Sequence, residues 1–298
     1  MEDIVVIKVN QHIKLLDYPG YQHPHCNCLL IEDDIRCIID SSCGADDLAY
    51  LKQRPLDIIL HTHGHHDHYF NNHYFPGSSI YMHQADHAIA QSTSSYLHFF
   101  GIEPLGKNPQ LSSMFLKATQ YLTTEIHATI EDRQSLDLGA TRLDMLHLPG
   151  HSAGHCGFFF PDQGFIYTGD IDLSAFGPWY GNLNCTIQDF LGSLDRLIAL
   201  KPDYIITGHG EGIVREEVIP RLKKYRDVIY SREQRILDLI KSGNHTLEEI
   251  ATKCPIYRKI PKPQAIYYIY EQVMILVHLW HLEEQGIIFQ EDQAYYLR

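Results

Sequence analysis

Histidines are concentrated in one short stretch of this sequence, and this constrains the fold more than any other feature. Six of the 20 histidines fall within thirteen positions, namely His61, His63, His65, His66, His68 and His73. The apolar run 56–60 ends directly before them, which predicts that the cluster lies on a loop leaving a β-strand. From His63 to His68 the polar side chains occupy alternate and then adjacent positions, so they can face two directions. A loop of this kind can serve two metal ions at once.

Three later motifs share the same local pattern. His151 lies in LPGHSAGH, Asp170 in YTGD and His209 in TGHGEG, each after an apolar, strand-like run and beside glycine. Strand ends bring side chains to one edge of a sheet, and glycine lets the backbone turn sharply and approach a metal ion closely. Imidazole and carboxylate suit zinc, manganese or iron. The motifs therefore predict a metal centre, whereas the first motif alone would also fit a polar loop without a catalytic role.

Together these motifs closely resemble the five ordered motifs of the metallo-β-lactamase superfamily, over about residues 1–212. The resemblance implies an α/β fold, an αββα sandwich with the site at one edge of two packed sheets. It points to the branch that includes glyoxalase II and β-lactamase-like protein 2. It also implies two divalent metal ions, with zinc preferred and manganese or iron as alternatives. The implied ligands are His63, His65 and His151 for the first ion, Asp67, His68 and His209 for the second, and Asp170 as the bridge between them.

The function implied by the resemblance is hydrolysis. Two ions roughly 3.5–4 Å apart can hold both the attacking and the leaving oxygen, and a bridging hydroxide oriented by Asp67 is the predicted nucleophile. We expect a small thioester, ester or lactone as substrate. Leu173 stands where lactone-cleaving members usually have tyrosine, which disfavours an acyl-homoserine lactonase. His65 stands where the di-iron, oxygen-reducing branch has glutamate, which favours hydrolysis over redox chemistry. A metal-dependent ribonuclease or phosphodiesterase is an alternative, and a non-catalytic regulatory binding protein is another.

Other residues are candidates for supporting roles. Asp40, at the end of CIID, matches a family position that orients liganding imidazoles, although a turn aspartate fits it equally well. Trp179 and Tyr180, in FGPWYG, are predicted to wall the substrate pocket. Asp172 is interpreted as a surface carboxylate and His155 as a structural histidine. A separate zinc site is not expected in the cluster of His23, His25, Cys26 and Cys28, because it lacks a second cysteine pair.

The chain is predicted to form two domains. Residues 1–212 would be the catalytic domain, with a helical insertion at 83–130 as a lid over the pocket. Residues 213–298 would form a helical domain of three helices and a terminal hairpin, similar to a winged helix. Thr246 and Glu249 have the spacing of a capping box at the second of these helices. The domain is also a candidate surface for a homodimer.

Composition limits the partners. The formal net charge is −13, and the predicted third helix of the C-terminal domain is acidic, so binding to nucleic acid is not expected. The chain lacks the ~20-residue apolar stretch of a membrane span. Its seven scattered cysteines fit a reducing compartment, and a cytoplasmic location is expected. A small-molecule substrate remains the predicted partner.

Overall fold

The computed structural model describes residues 6–19, 21, 23–106 and 108–298, and two β-sheets form the centre of this part of the chain. The first sheet has its strands in sequential order, antiparallel from β1 to β4 and parallel from β4 to β7. These strands are β1 (Val6–Lys8), β2 (Ile13–Leu16), β3 (Cys28–Glu32), β4 (Arg36–Ile39), β5 (Ile58–Leu60), β6 (Ser79–Met82) and β7 (Ala128–Thr129).

The second sheet has the strand order β13-β12-β11-β10-β9-β8. Its members are β8 (Ser135–Asp137), β9 (Arg142–His147), β10 (Cys156–Phe160), β11 (Phe165–Tyr167), β12 (Tyr204–Ile206) and β13 (Ile213–Val214). Strands β11 and β12 run parallel, and the other neighbours are antiparallel. The ends of β9, β11 and β12 therefore lie at one edge of the sheet.

The helices lie between and after the strands. They are α1 (Ala45–Leu51), α2 (His66–Tyr69), α3 (His87–Gln91), α4 (Thr93–Phe99), α5 (Ile102–Gly106), α6 (Pro109–Thr119), α7 (Ile187–Leu200), α8 (Val218–Lys241), α9 (Leu247–Ala251) and α10 (Gln264–Glu284). Strands β14 (Ile288–Glu291) and β15 (Ala294–Leu297) form a hairpin at the end of the chain.

The two sheets pack face to face with helices outside, so the central strands are buried on both faces and their successive residues point to opposite sides of the sheet. On β3, Leu29 faces the other sheet and shares a buried cluster with Phe158 of β10, whereas Leu30 faces outward and packs with Leu51 of α1. On the second sheet, Ile166 faces outward into the cluster that contains Phe190 of α7. The αββα prediction is confirmed.

Helix α7 connects the parallel strands β11 and β12, and its start is defined by the sequence. Thr186 is the N-cap, because its hydroxyl accepts a hydrogen bond from the backbone N of Asp189 (3.0 Å). Lys201, in the left-handed conformation, ends the helix. The chain then enters β12, and His209 follows the end of that strand.

The C-terminal region contains the predicted three helices and hairpin, and the capping box of Thr246 and Glu249 is confirmed. Its winged-helix identity stays a prediction. The domain boundary after residue 212 also stays a prediction. Residues of α7, α8 and α10 share one buried cluster, so helices from both sides of the predicted boundary pack together.

One local prediction needs correction. The predicted helical insertion 83–130 contains helices α3 to α6, but strand β7 lies near its end and pairs with β6. The apolar run 4–9 also predicts a strand, and its residues Val6–Lys8 form β1, whereas Ile4 and Val5 lie outside the described residues. No helix in the described part of the chain combines the length and apolarity needed to cross a membrane.

Candidate metal centre

The predicted ligands come from four loops at one edge of the sandwich. His63 and His65 follow β5, and Asp67 and His68 lie in the short helix α2. His151 follows β9, Asp170 follows β11 and His209 follows β12. Because these strands end at the same edge, residues separated by more than a hundred positions converge there.

The first group consists of His63, His65, His151 and Asp170, whose ligand atoms lie within 4.8 Å of one another. Nε2 of His151 is 2.9 Å from Nδ1 of His65 and 3.3 Å from Oδ2 of Asp170. Three imidazoles and one carboxylate therefore face one small volume. This is a ligand set of the kind that binds zinc.

The second group consists of Asp67, His68 and His209, again with ligand atoms within 4.8 Å of one another. Nε2 of His209 lies 3.5 Å from Oδ2 of Asp67 and 3.6 Å from Oδ1 of Asp170, and Nε2 of His68 lies 2.9 Å from that same Asp170 oxygen. The Asp170 carboxylate thus turns one oxygen to each group.

Unpaired atoms test whether these residues suit metal ions. His63 Nε2 is buried without a hydrogen-bond partner among the described residues, and the buried atoms His68 Nε2 and Asp170 Oδ1 lie 2.9 Å apart without hydrogen-bond geometry. A buried polar atom without a partner is costly, on the order of 1–3 kcal/mol, so it is expected where a ligand compensates. The residues therefore fit divalent cations.

The pKa values of the predicted histidine ligands shift in both directions. Burial lowers the pKa of His63 and of His151 well below the usual range, which favours the neutral imidazole that binds metals. Burial also lowers the pKa of His68, but Asp170 and the nearby Cys26 and Asp40 together outweigh burial and raise that pKa well above the usual range. Asp170 and Asp67 likewise raise the pKa of His209 to about 9 against the effect of burial. The two carboxylates draw positive charge into the site.

Asp40 supports the second group through its hydrogen bond with His68. Its Oδ2 accepts hydrogen bonds from His68 Nδ1 (2.8 Å) and from the Thr62 hydroxyl (2.9 Å), and its Oδ1 accepts one from the Thr62 backbone N (2.9 Å). Burial raises the pKa of the Asp40 carboxyl, but His68 and His61 outweigh burial and hold it below its usual range. Such a contact fixes the ring orientation and leaves Nε2 of His68 pointing at the site.

Sequence reasoning missed a buried carboxylate that joins two ligand loops. Asp86 accepts hydrogen bonds from the backbone N of Gly64 (2.8 Å) and Gly154 (2.7 Å), and from the Ser152 hydroxyl (2.5 Å). A Cβ at Gly64 would lie 2.9 Å from the Asp86 carbonyl oxygen, and one at Gly154 would lie 2.7 Å from the Asp86 side chain. Both glycines are needed for this close approach. No local sequence signal marks Asp86.

Two further contacts orient the first group and were also missed. His65 Nε2 donates to Asn182 Oδ1 (2.5 Å), which leaves Nδ1 of His65 for the site. His151 Nδ1 donates to the carbonyl oxygen of Trp179 (3.0 Å). The segment that contains Trp179 and Asn182 therefore positions two of the predicted ligands.

The neighbouring histidines have structural contacts instead. His61 Nε2 accepts from Asn72, and His66 donates to the Thr119 carbonyl. Burial lowers the pKa of His155 to about 4, and this neutral ring accepts a hydrogen bond from the Asp170 backbone N (3.2 Å). Cys26 lies close to Asp40 and His68, but those two groups already bond to each other. None of the remaining histidine and cysteine residues 23, 25 and 28 joins a ligand group in the described structure.

A cavity of about 520 Å³ opens above the predicted ligands, and Trp179 is in its wall. Tyr180, which we predicted in the same wall, is instead fully buried and forms a hydrogen bond with His278 of α10 (2.7 Å). The two adjacent aromatic rings therefore face different parts of the protein. Asp172 is not a surface carboxylate, because it lines the cavity and accepts hydrogen bonds from Tyr21 and Tyr225. A larger groove of about 990 Å³, beside α5 and α6, contains none of the predicted ligands.

Residues 23–209 match the sequence model of the Metallo-beta-lactamase superfamily, so the chain belongs to this superfamily. The Beta-lactamase-like protein 2 homolog of Drosophila melanogaster is similar, with 23% identity over 84% of this chain and 77% of the fly protein. Hydroxyacylglutathione hydrolase GloC of Haemophilus influenzae is 28% identical over 67% of this chain and 91% of its own length.

Solved structures share the fold over almost the whole chain. A Beta-lactamase domain protein from Burkholderia ambifaria has a TM-score of 0.78 and 17% identity, covering 98% of this chain and 94% of its own. A metallo-beta-lactamase family protein from Thermus thermophilus has a TM-score of 0.70 and 23% identity, covering 98% of this chain and 100% of its own. The prediction of a metal-dependent hydrolase of this superfamily is confirmed at that level.

Proposed function

We propose that the protein is a dinuclear metal hydrolase that cleaves a small thioester, ester or lactone. The observation that carries the proposal is the placement of the Asp170 carboxylate, whose oxygens lie 3.3 Å from His151 Nε2 and 2.9 Å from His68 Nε2. One carboxylate facing two ligand groups is the arrangement that a bridge between two ions needs. His63, His65 and His151 would hold one ion, and Asp67, His68 and His209 the other.

When bound, two divalent ions supply Lewis acidity toward a carbonyl oxygen and lower the pKa of a nearby water. The chain's own residues position the reactants. Asp67 lines the cavity and can accept a hydrogen bond from the attacking water, which orients the water toward the carbonyl carbon. Water adds to that carbon, the bond to sulfur or to the ester oxygen breaks, and the leaving group departs as a thiol or an alcohol. Trp179 and Phe100 keep bulk water from the side of the site formed by His65.

An acyl substrate is supported by the hydroxyacylglutathione hydrolases among the relatives. Zinc is the proposed metal because imidazole-rich sites with carboxylate suit it, and manganese and iron are alternatives for the same ligands. A cytoplasmic location and a homodimer through residues 213–298 stay predictions.

The test uses the full chain loaded in turn with zinc, manganese and ferrous iron. Turnover of a thioester, a lactone and bis-p-nitrophenyl phosphate is compared at matched metal content. We expect the acyl substrates to be hydrolysed and the phosphodiester to react far more slowly. Faster phosphodiester turnover would favour the ribonuclease alternative, and no turnover would favour a binding protein. Activity retained by the double variant His63→Ala, Asp67→Ala would overturn every metal-hydrolase version.

A further inference from the structure

The wall of the cavity beside the metal centre is aromatic. Of the nineteen described residues that line it, nine are tyrosine, phenylalanine or tryptophan. The aromatic surface begins at the predicted ligands themselves, since the rings of Phe100 and Trp179 lie 5.0 Å and 5.6 Å from the ring of His65. A substrate that reaches the metal ions therefore passes along aromatic faces and edges.

The C-terminal region contributes four tyrosines to this wall, and three of them, Tyr257, Tyr267 and Tyr270, are in contact with Trp179 or with one another. Trp179 Nε1 donates a hydrogen bond to the hydroxyl of Tyr257 (2.9 Å), and the ring of Tyr270 meets that of Trp179 edge to face at 5.4 Å. Tyr267 lies 5.6 Å from both Tyr257 and Tyr270, again at steep angles. Edge-to-face contacts of this kind are favourable and hold rings in fixed orientations. The wall is thus a preformed aromatic surface.

No lysine or arginine occurs in the described part of the lining. Arg232 lies behind the wall, but its guanidinium is buried and donates to the carbonyl oxygens of Phe176 and Pro178. The lining adds one carboxylate beyond the predicted ligands, that of Asp172. Anionic groups on a ligand are commonly recognised by arginine or lysine, which this wall does not offer.

We propose that the substrate is an uncharged ester or thioester that carries an aromatic ring, and that the ring packs against Trp179, Tyr257 and Tyr270. This inference rests on the proposed acyl hydrolysis. It excludes thioesters of anionic thiols, such as glutathione, as the preferred substrates. The volume of about 520 Å³ is within the range of pockets that enclose small ligands.

The test compares kcat/KM of the zinc-loaded chain for three substrates: 2-naphthyl acetate, S-ethyl thioacetate and a hydroxyacylglutathione. We expect 2-naphthyl acetate to be preferred over the hydroxyacylglutathione. In Tyr270→Leu, the preference for 2-naphthyl acetate over S-ethyl thioacetate should fall by roughly 3- to 10-fold, the size of a lost aromatic contact. An unchanged preference in this variant would overturn the assigned binding wall.

A charge introduced into the wall gives a second, independent measurement. Tyr267→Arg should lower KM for the hydroxyacylglutathione, whereas Tyr268→Arg should not, because Tyr268 lies on the same helix but lines the other groove. A wild-type preference for the hydroxyacylglutathione would overturn the inference and leave the proposed function intact. Failure to hydrolyse any of the three substrates would instead count against the proposed function.

Discussion

Buried polar groups at the metal centre differ in their hydrogen bonding from the carboxylates packed among the C-terminal helices. At the metal centre, His63 Nε2 is buried without a hydrogen-bond partner in the described structure, and the buried atoms His68 Nε2 and Asp170 Oδ1 lie 2.9 Å apart without hydrogen-bond geometry. Folding alone would not favour this arrangement, because each unpaired atom loses its hydrogen bond to water.

The two carboxylates packed among the C-terminal helices, in contrast, have hydrogen-bond partners. Glu271 of α10 accepts hydrogen bonds from the backbone N of Ile256 (2.9 Å) and Tyr257 (2.8 Å). Glu233 of α8 accepts hydrogen bonds from His278 (3.2 Å) and His281 (2.8 Å). These pairs fix the positions of helices and loops, and they hold Tyr257 in the pocket wall.

The difference shows how to separate ligands from supports among buried polar residues. A ligand keeps an atom free and directs it toward other free atoms, whereas a support has its atoms paired within the protein. Substitution of a ligand should therefore remove metal and activity, and substitution of a support in the C-terminal helices should change stability while metal binding persists.

The largest effect is expected for Asp170→Asn. The amide keeps the size of the side chain but removes the charge that faces both ligand groups. We expect kcat/KM to fall by more than about 100-fold, because changes to groups that merely support a metal ligand already cost ~10- to 100-fold. Metal content per chain, measured by elemental analysis, should fall as well.

Asp172→Asn is the matched control for this metal measurement. Asp172 lies two positions further on and lines the same cavity, but it belongs to neither ligand group. Its metal content should equal that of the wild type. If Asp170→Asn kept its full metal content, Asp170 would not be a metal ligand, and the distinction between ligands and supports would fail at this residue.

The residues that converge at the candidate metal centre could be predicted from sequence because each has a local signature. His151, Asp170 and His209 each follow an apolar run and sit beside glycine, and the order of the motifs matches a known family. Most strands and the long helices were accessible for the same reason, since their periodicity is local. Strand β7 was not, because two residues carry no periodicity and the strand forms only by pairing with β6.

Except for Asp40, the supports of the site could not be predicted, because they depend on contacts between distant segments. Asn182 is 117 positions from His65, and Arg232 is 56 positions from the Phe176 carbonyl that it binds. Tyr180 illustrates the same limit, since its neighbour Trp179 lines the cavity while Tyr180 turns toward α10. Proximity to a ligand in sequence does not determine which way a side chain points.

Asp86→Asn tests an intermediate case, a fully paired carboxylate inside the metal-centre region. Its oxygens accept from two backbone N–H groups and one hydroxyl, so an amide would place its own NH₂ against a donor. We expect the affinity for zinc to fall by roughly 10- to 100-fold, measured by chelator competition on folded protein. Asp144→Asn, on β9, is the control and should bind zinc normally. Wild-type affinity in Asp86→Asn would place Asp86 with the purely structural groups.

The smallest effect on activity, and a pH-dependent effect on stability, is expected for Glu233→Gln. Burial raises the pKa of Glu233, but the hydrogen bonds from His278 and His281 outweigh burial and lower it from 4.5 to about 2. Because the carboxyl has the lower pKa in the folded state, its stabilising contribution is fully present above pH 4.5 and is lost as the pH falls toward 2.

Urea unfolding of the metal-free protein measures this contribution. At neutral pH, Glu233→Gln should lower the free energy of unfolding by roughly 1–3 kcal/mol, the size expected for hydrogen bonds to a charged group. The difference from the wild type should shrink as the pH falls from 4.5 toward 2. Glu284→Gln, exposed at the end of α10, should show no such difference at any pH.

Zinc content should stay unchanged in both variants, because neither residue belongs to a ligand group. Loss of zinc from Glu233→Gln would show that the C-terminal helices help to position the metal ligands. The two regions would then differ only in their distance from the ions, and both would contribute to metal binding.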